Sequence, residues 1–200
     1  MAPHFVLEQI KANFELVLVD RKSNAQKSAE YLAVNPAGRI PALADSGQVI
    51  SESSAICIHL AESHPEANLI PELGNLDRAK FFQWIMYLTN TVQAELMVYF
   101  YPQNHTSEQA GLPSIVATQE QRIIDMLALL DKELEHKTYL VGEQLTVCDF
   151  YLFMLSVWAD ELKKPPLAFE HLSKYLKKMA KLEAVGKVCK KENLSLADYQ

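Results

Sequence analysis

Two short motifs near the start of the chain constrain its fold more than any other feature. The first is the stretch 35–43, Asn-Pro-Ala-Gly-Arg-Ile-Pro-Ala-Leu, and the second is the stretch 51–56, Ser-Glu-Ser-Ser-Ala-Ile. Two prolines and a glycine in the first motif predict a loop that leads into a short strand. The polar residues that open the second motif predict the beginning of a helix. Together the motifs predict a loop, two strands joined by a turn, and a helix in close succession.

The flanking sequence extends this pattern into a small α/β unit. The apolar and β-branched run 14–19 predicts a buried strand, and an Asp-Ser-Gly turn separates two more short strands. Ser51 is the predicted N-cap of the helix in the second motif. The predicted elements are helix 3–11, strand 14–19, helix 28–34, strands 41–44 and 48–50, and helix 52–63.

The rest of the chain predicts a bundle of helices. Apolar residues recur at helical spacing over long stretches, and Thr146 and Asp149 have the spacing of a capping box at the start of a core helix. The predicted helices are 75–101, 113–136, one opening at 146, 168–180 and 183–191. We therefore predict an α/β domain over residues 1–66, a proline-containing linker over 67–76 and an all-helical domain over 77–200.

Composition excludes several classes of function. The formal charge of the 200-residue chain is −6 and it has no basic stripe, which argues against nucleic acid or an anionic membrane as its partner. No apolar run is long enough to span a membrane. The cysteines Cys57, Cys148 and Cys189 are odd in number and far apart, with no metal-ligand spacing. These features predict a cytoplasmic protein without a metal site.

The dipeptide Ile40-Pro41 is a candidate binding element. If its peptide bond were cis, the backbone of Ile40 would be exposed and could pair with an extended peptide ligand, as a sheet edge pairs with a strand. Taken alone, the dipeptide is better explained by a plain turn into a strand, because cis peptide bonds are rare. The sequence does not reveal the isomer.

Ser51, Glu52 and Ser53 form a second candidate element. Free N–H groups at a helix start and the helix dipole favour a carboxylate, while Glu52 offers a partner for an ammonium group. An α-amino acid end group carries both charges. Ordinary capping of the helix by Ser51 explains the same residues.

The ordered pair of motifs resembles the glutathione-binding half of the glutathione S-transferase superfamily. Two later stretches extend the resemblance along essentially the whole chain: 145–150, which resembles the buried capping box of that family, and 175–185, which resembles its closing helices. The resemblance implies a thioredoxin-like N-terminal domain followed by an all-α C-terminal domain. It also implies that glutathione is a substrate and that the active protein is a homodimer.

The resemblance assigns roles to individual residues. Ile40 would present its backbone to the cysteinyl part of glutathione with Pro41 in the cis form, and Arg39 belongs to the same binding set. Glu52 and Ser53 would hold the γ-glutamyl amino and carboxylate groups. Thr146 and Asp149 would be structural. A small hydrophobic electrophile would lie against the helical domain near Met97, Tyr99, Phe100 and Tyr101.

The chain departs from the family in one respect. The first strand of the sheet and the loop with the sulfur-activating residue would lie upstream of Met1, so we expect the natural product to begin earlier. No histidine occurs at 94–101, where some bacterial relatives have one near the sulfur. We expect His4, at a helix start, to be solvated. The sequence therefore identifies no catalytic residue.

Three functions fit these features. The first is a bacterial-type cytosolic glutathione transferase that conjugates the glutathione thiolate to small electrophiles, a detoxification reaction. The second is a non-catalytic glutathione-binding or protein-interaction member of the same fold. The third is a glutathione-dependent isomerase or disulfide reductase. Outside the family, a helical interaction module with a small α/β cap explains the organisation but not the ordered motifs.

Overall fold

The structure, a computed structural model, describes residues 1–200. The N-terminal part combines three helices with a two-stranded antiparallel sheet: α1 (Ala2–Gln9), α2 (Ala29–Val34), β1 (Ala42–Asp45), β2 (Gln48–Ser51) and α3 (Ser53–Ser63). The remainder is helical: α4 (Asp77–Met86), α5 (Gln93–Phe100), α6 (Leu112–Glu133), α7 (Val147–Trp158), α8 (Glu170–Met179) and α9 (Glu183–Lys191). The predicted α/β unit followed by an all-helical unit is confirmed.

The sheet is a tight hairpin. Ala42 pairs with Ser51 and Asp45 pairs with Gln48, so the two strands are joined at Ser46 and Gly47. Both turn residues have a positive φ, as two-residue hairpin turns require. The turn therefore fixes the register that brings the end of β2 to the beginning of α3.

The predicted strand at 14–19 is wrong. This segment has no regular structure, and none of its backbone N–H or C=O groups is bonded to another backbone group. Val17 and Leu18 are 73% and 85% exposed. A strand needs a neighbouring strand for its hydrogen bonds, and no strand of this chain lies beside the segment. Its apolar composition therefore did not lead to burial.

The start of α3 also differs from the prediction. Ser51 is the last residue of β2 rather than an N-cap, and Glu52 occupies the N-cap position without a capping side-chain bond. The hairpin extends through Ser51, so the hydroxyl of Ser51 does not reach the first turn of the helix. The free N–H groups of α3 are therefore left without a side-chain partner.

The predicted single helix at 75–101 contains a π-helical segment at Tyr87–Val92, between α4 and α5. Within it, the hydroxyl of Thr89 donates to the carbonyls of Ile85 and Met86 at 2.9 and 3.3 Å. A side chain that competes for backbone carbonyls disturbs the regular α-helical pattern. The wider turn changes which residues of α5 share a face with α4.

Helix α7 lies at the centre of the core. Every residue from Val147 to Ser156 is buried, as the apolar run predicts. The rings of Phe150 and Phe153 contact Phe5 on α1 at centroid distances of 5.8 and 5.9 Å. These aromatic contacts fasten the α/β unit to the helical unit.

His4 is buried rather than solvated, contrary to the prediction. Its Nδ1 lies 3.1 Å from an Oε1 of Glu192, and its Nε2 lies 3.9 Å from Glu8. Helix α1 packs against α3, α7 and α9, and this packing covers its first turn.

None of the helices in the chain combines the length and apolar character needed to cross a membrane.

Candidate functional site

A cleft of about 1270 Å³ separates the α/β unit from the helical unit. The predicted site residues line it: Arg39, Ile40, Pro41, Glu52 and Ser53 on one wall, and Met97, Phe100 and Tyr101 on the other. Tyr99, which was placed with them, does not line the cleft; it packs against the core. The structure therefore brings the two predicted groups of residues face to face.

Hydrogen bonds hold the loop that carries Ile40 in place. The buried side chain of Asn35 donates to the carbonyl of Arg39 at 2.7 Å and accepts from the N–H of Ala37 at 3.1 Å. The hydroxyl of Tyr31, on α2, donates to the same Arg39 carbonyl at 2.8 Å. Because Asn35 is only 4% exposed, these bonds are shielded from competing water. The loop is therefore a fixed platform rather than a loose connection.

Gly38 is required within this loop. Its φ of +59° lies in the left-handed region, which glycine adopts without steric cost. A Cβ at this position would lie 3.0 Å from the carbonyl oxygen of Gln26 and closer still to the side chain of Lys27. The backbone at Gln26, which precedes α2, thus packs directly against the loop that carries Ile40.

Ile40 presents unpaired backbone to the cleft. The Ile40–Pro41 peptide bond is cis, and β1 begins only at Ala42. Neither the N–H nor the C=O of Ile40 has a hydrogen-bond partner in the chain. This arrangement offers one donor and one acceptor to an extended peptide, as an open sheet edge does.

The N-terminus of α3 lies on the same wall of the cleft as Ile40. The N–H groups of Ser53, Ser54 and Ala55 have no partner in the chain, and the first helical bond runs from Ile56 to the carbonyl of Glu52 at 2.9 Å. Free N–H groups and the helix dipole together form a site for an anion, and a carboxylate fits it. The Glu52 carboxylate has no ion-pair partner and stands beside this site.

The backbone of Glu52 has an unusual conformation. Its φ of +68° and ψ of 116° lie outside the regions that a residue with a Cβ normally occupies. Such a conformation costs about 1–3 kcal/mol and persists where the surrounding structure enforces it, commonly at ligand sites. The hairpin before Glu52 and the helix after it supply that constraint.

Charge is distributed unequally between the walls of the cleft. The α/β wall contains Arg21, Lys27 and Arg39, none of which forms an ion pair within the chain, and one carboxylate, Glu52. The helical wall contains no acidic residue, lysine or arginine. The cleft thus attracts a ligand with a net negative charge to one wall, while the other wall has no acidic residue, lysine or arginine and one histidine, His105.

Sequence reasoning missed most of the polar residues of the cleft, among them Arg21, Gln93 and Tyr151. The Tyr151 hydroxyl donates to the side-chain oxygen of Gln93 at 2.7 Å. Burial raises the pKa of Tyr151, nearby Cys57 and Glu52 add to the rise, and Ser53 opposes it, so the phenol stays protonated. A tyrosine within a mostly apolar buried run needs a hydrogen-bond partner for its hydroxyl. That need is the sequence signal from which a polar contact of Tyr151 could have been predicted.

Thr146 and Asp149 lie outside the cleft. They form a reciprocal capping box at the start of α7, and the Asp149 carboxylate also accepts from the N–H of Leu140 and the hydroxyl of Tyr175. Burial raises the pKa of Asp149, and these hydrogen bonds oppose the rise. The geometry assigns this group to the support of the core.

The cysteines do not contribute to the cleft. All three are buried, and none lines the cavity. Burial raises the pKa of Cys57 and Cys148, and it raises the pKa of Cys189 to about 11. Since the thiolate is the nucleophilic form, none of them is a reactive thiol at neutral pH.

Comparison with known proteins gives a consistent result over nearly the whole chain. Residues 1–62 match the family model of the glutathione S-transferase N-terminal domain, and residues 91–183 match that of the C-terminal domain. The glutathione S-transferase GstA of Escherichia coli O157:H7 is 29% identical over 196 residues, which is 97% of this chain and 94% of that protein.

Solved structures agree with the sequence matches. The structure of a sphingomonad glutathione S-transferase complexed with glutathione is 31% identical with a TM-score of 0.84, and the match covers 97% of this chain and 94% of that one. A glutathione transferase homologue from Sulfitobacter, with bound glutathione, shares the fold with a TM-score of 0.88 at 23% identity; the match covers 96% of this chain and 93% of that one. The chain belongs to the glutathione S-transferase family.

Proposed function

We propose that this protein binds glutathione in the cleft and conjugates its thiolate to a small electrophile. The observation that carries the proposal is the grouping of three complementary features on one wall: the unpaired backbone of Ile40, the free N-terminus of α3 and the unpaired carboxylate of Glu52. Relatives of this chain are named glutathione S-transferases, and the sphingomonad protein was solved with glutathione.

The chemistry of glutathione matches these features part by part. Its γ-glutamyl carboxylate fits the N–H groups at Ser53, and its ammonium group fits Glu52. Its cysteinyl amide fits the N–H and C=O of Ile40. The tripeptide carries two carboxylates and one ammonium, so its net charge suits a wall with three unpaired cations, Arg21, Lys27 and Arg39.

The same wall favours the reactive form of the thiol. A free thiol has a pKa of about 8.5, and nearby positive charge or a helix N-terminus lowers it. The bound sulfur would lie beside Ile40, between the cationic wall and the neutral helical wall. The thiolate would then attack an electrophile held near Met97 and Phe100.

The test combines a binding measurement with a turnover measurement. Glu52→Gln is expected to weaken glutathione binding roughly three- to tenfold in isothermal titration calorimetry, because an ammonium loses its charged acceptor. Glu66→Gln removes the same charge from an exposed site outside the cleft and is the matched control. Equal weakening by both variants would contradict the assignment, since it would report net charge alone.

Turnover separates the first candidate function from the second. Wild-type protein mixed with glutathione and 1-chloro-2,4-dinitrobenzene is expected to release the dinitrophenyl conjugate. Binding without turnover would instead favour a non-catalytic glutathione-binding role.

We further propose that the protein is a homodimer and is located in the cytoplasm, as the family suggests. Sedimentation equilibrium of the wild-type chain tests whether it forms a dimer.

A further inference from the structure

A buried phenol fixes one polar group of the helical wall. The hydroxyl of Tyr151, on α7, donates to the side-chain oxygen Oε1 of Gln93, on α5, at 2.7 Å. Tyr151 is only 2% exposed, so its hydroxyl needs a partner within the protein. At the rim of the cleft, by contrast, the hydroxyl of Tyr101 accepts from the Nη2 of Arg21 at 3.0 Å in an exposed position. The bond from Tyr151 therefore holds the amide of Gln93 in one orientation.

This orientation decides which hydrogen-bonding group Gln93 offers to the cleft. A primary amide has an oxygen that accepts hydrogen bonds and an NH₂ group that donates two. The oxygen is used by Tyr151, and no acceptor within the chain takes either amide hydrogen. Gln93 is half-buried and lines the cleft. It therefore presents to a ligand an uncharged group that only donates.

The pair formed by Tyr151 and Gln93 lies close to the N-terminus of α3. Helix α3 packs against α7, and Ser53 lines the same cavity as the pair. Burial is the main cause that raises the pKa of Tyr151; among the smaller causes, the charge of Glu52 adds to the rise and Ser53 opposes it. Both residues are thus near the phenol. They are the residues to which the proposed function assigns the γ-glutamyl amino and carboxylate groups.

The two charged groups at this end of glutathione differ in their hydrogen-bonding capacity. The carboxylate only accepts, and the ammonium only donates. An amide that presents its NH₂ group therefore pairs with the carboxylate and not with the ammonium. The free N–H groups of Ser53 and Ser54 face a carboxylate from one wall. Since a carboxylate has about four lone-pair sites, it can also accept from Gln93 on the other wall.

We propose that Gln93 is a further glutathione-binding residue, whose NH₂ group donates to the α-carboxylate of the γ-glutamyl group. The inference rests on the proposed binding of glutathione in the cleft. Tyr151 acts through Gln93 and is a positioning residue, because it keeps the amide oxygen turned away from the carboxylate. Glutathione is thereby bound from both walls, and a peptide without this carboxylate lacks the contact to the helical wall.

Two ligands that differ only in this carboxylate make the test selective. They are S-hexylglutathione and its analogue in which a 4-aminobutyryl group replaces the γ-glutamyl group. Gln93→Met removes the amide at similar volume. This change is expected to raise the Kd of S-hexylglutathione roughly three- to tenfold in isothermal titration calorimetry, because a donor to a carboxylate is lost from a half-buried site. The Kd of the analogue should change by less than about twofold.

Gln93→Glu tests the sign of the ligand charge that this position faces. Glutamate keeps the length of the side chain and an acceptor for Tyr151, but it places a second carboxylate beside that of the ligand. The Kd of S-hexylglutathione should therefore rise more than it does for Gln93→Met, since like charges repel. A lower Kd would show that the ammonium faces this position, and it would overturn the proposal.

Gln121 provides the matched controls. It is an exposed glutamine on α6 outside the cleft. Gln121→Met and Gln121→Glu make the same chemical changes as the two variants of Gln93, and each should leave the Kd of both ligands within about twofold of the wild-type value. A rise in the Kd for Gln121→Glu equal to that for Gln93→Glu would report net charge alone and would contradict the proposal.

Tyr151→Phe tests the positioning role. Without the phenol the Gln93 amide is free to rotate, so the Kd of S-hexylglutathione should rise about two- to fourfold and that of the analogue should stay nearly constant. In a protein that already carries Gln93→Met, the same change should have almost no further effect, because the two residues act as one unit. Effects that multiply in full would show that Tyr151 acts independently of Gln93, and the positioning role would be refuted.

The outcomes separate this inference from the proposed function. Circular dichroism checks that each variant is folded. In folded Gln93→Met protein, an equal rise in the Kd of both ligands, or no rise for either, overturns the role of Gln93 and leaves glutathione conjugation standing. Failure of the wild type to bind S-hexylglutathione overturns both. The predicted selectivity without any turnover supports the role of Gln93 and contradicts conjugation.

Discussion

The replacement Asp149→Asn tests whether one buried carboxylate joins the loop before α7 to the core. Its Oδ1 accepts from the N–H of Leu140 at 2.9 Å and the hydroxyl of Tyr175 at 2.7 Å. Its Oδ2 accepts from the N–H and hydroxyl of Thr146 at 2.6 and 3.0 Å. A backbone N–H thus faces each oxygen. Asparagine keeps one oxygen, so whichever way its amide is turned, one backbone N–H faces an NH₂ group.

The expected loss follows from that geometry. A hydrogen bond to an ionised group contributes about 1.5–3 kcal/mol, and an unpaired buried donor costs about 1–3 kcal/mol. Asparagine occupies nearly the same volume as aspartate, so no cavity cost is added. We expect Asp149→Asn to lower the free energy of unfolding by about 3 kcal/mol in equilibrium urea unfolding, and to lower Tm by roughly 6–12 °C.

Tyr175→Phe is the matched control because it removes one of the four donors and keeps the ring. Its hydroxyl bonds only the Asp149 carboxylate, so the expected loss is smaller, about 1.5 kcal/mol. If Asp149→Asn costs no more than Tyr175→Phe, the two backbone N–H groups do not depend on the carboxylate. The reasoning about the network would then be refuted.

Two further predictions concern other buried polar groups. Asn35→Ala removes both bonds of that side chain within the platform, so it should destabilise the protein by about 1–2 kcal/mol and weaken glutathione binding in calorimetry. Tyr31→Phe removes a single bond to the Arg39 carbonyl, so it should lower stability and glutathione affinity less than Asn35→Ala does. A larger loss for Tyr31→Phe than for Asn35→Ala would contradict the role of Asn35. Hydrogen bonds from Lys163 lower the pKa of Glu120, so this carboxylate stabilises the fold above the usual glutamate pKa and loses that effect as pH falls through its lowered value. The stability gap between wild type and Glu120→Gln in urea unfolding should therefore shrink in acid, and a gap that stays constant from pH 7 to 3 would be inconsistent with this.

Sequence reasoning succeeded where the determining contacts are local. The capping box of Thr146 and Asp149 needs only residues three apart, and the hairpin needs only the turn between its strands. The platform around Ile40 is likewise built from a single loop and the helix before it. Such features are encoded within one short stretch of chain, so a motif is enough to find them.

Prediction failed where a distant segment decides the outcome. The run 14–19 has the composition of a strand, but strand formation depends on a neighbour that composition does not reveal. The burial of His4 depends on the packing of α1 against α9. Arg21 and Tyr101 are joined across the cleft, and nothing in either local sequence points to the other. These pairings exist only in three dimensions.

The π-helical segment at Tyr87–Val92 has a consequence for how this family member can diverge. It lies between Met86 and Gln93, both of which line the cleft, and Met97 follows on α5. The hydrogen bonds of a π-type turn reach one residue further along the chain than those of an α-helical turn, so the segment holds one extra residue. The loss of one codon within it would convert the turn to regular α-helix and leave Gln93 and Met97 facing the cleft. This segment is thus a place where a single in-frame deletion can be absorbed without exchange of the surface that lines the cleft.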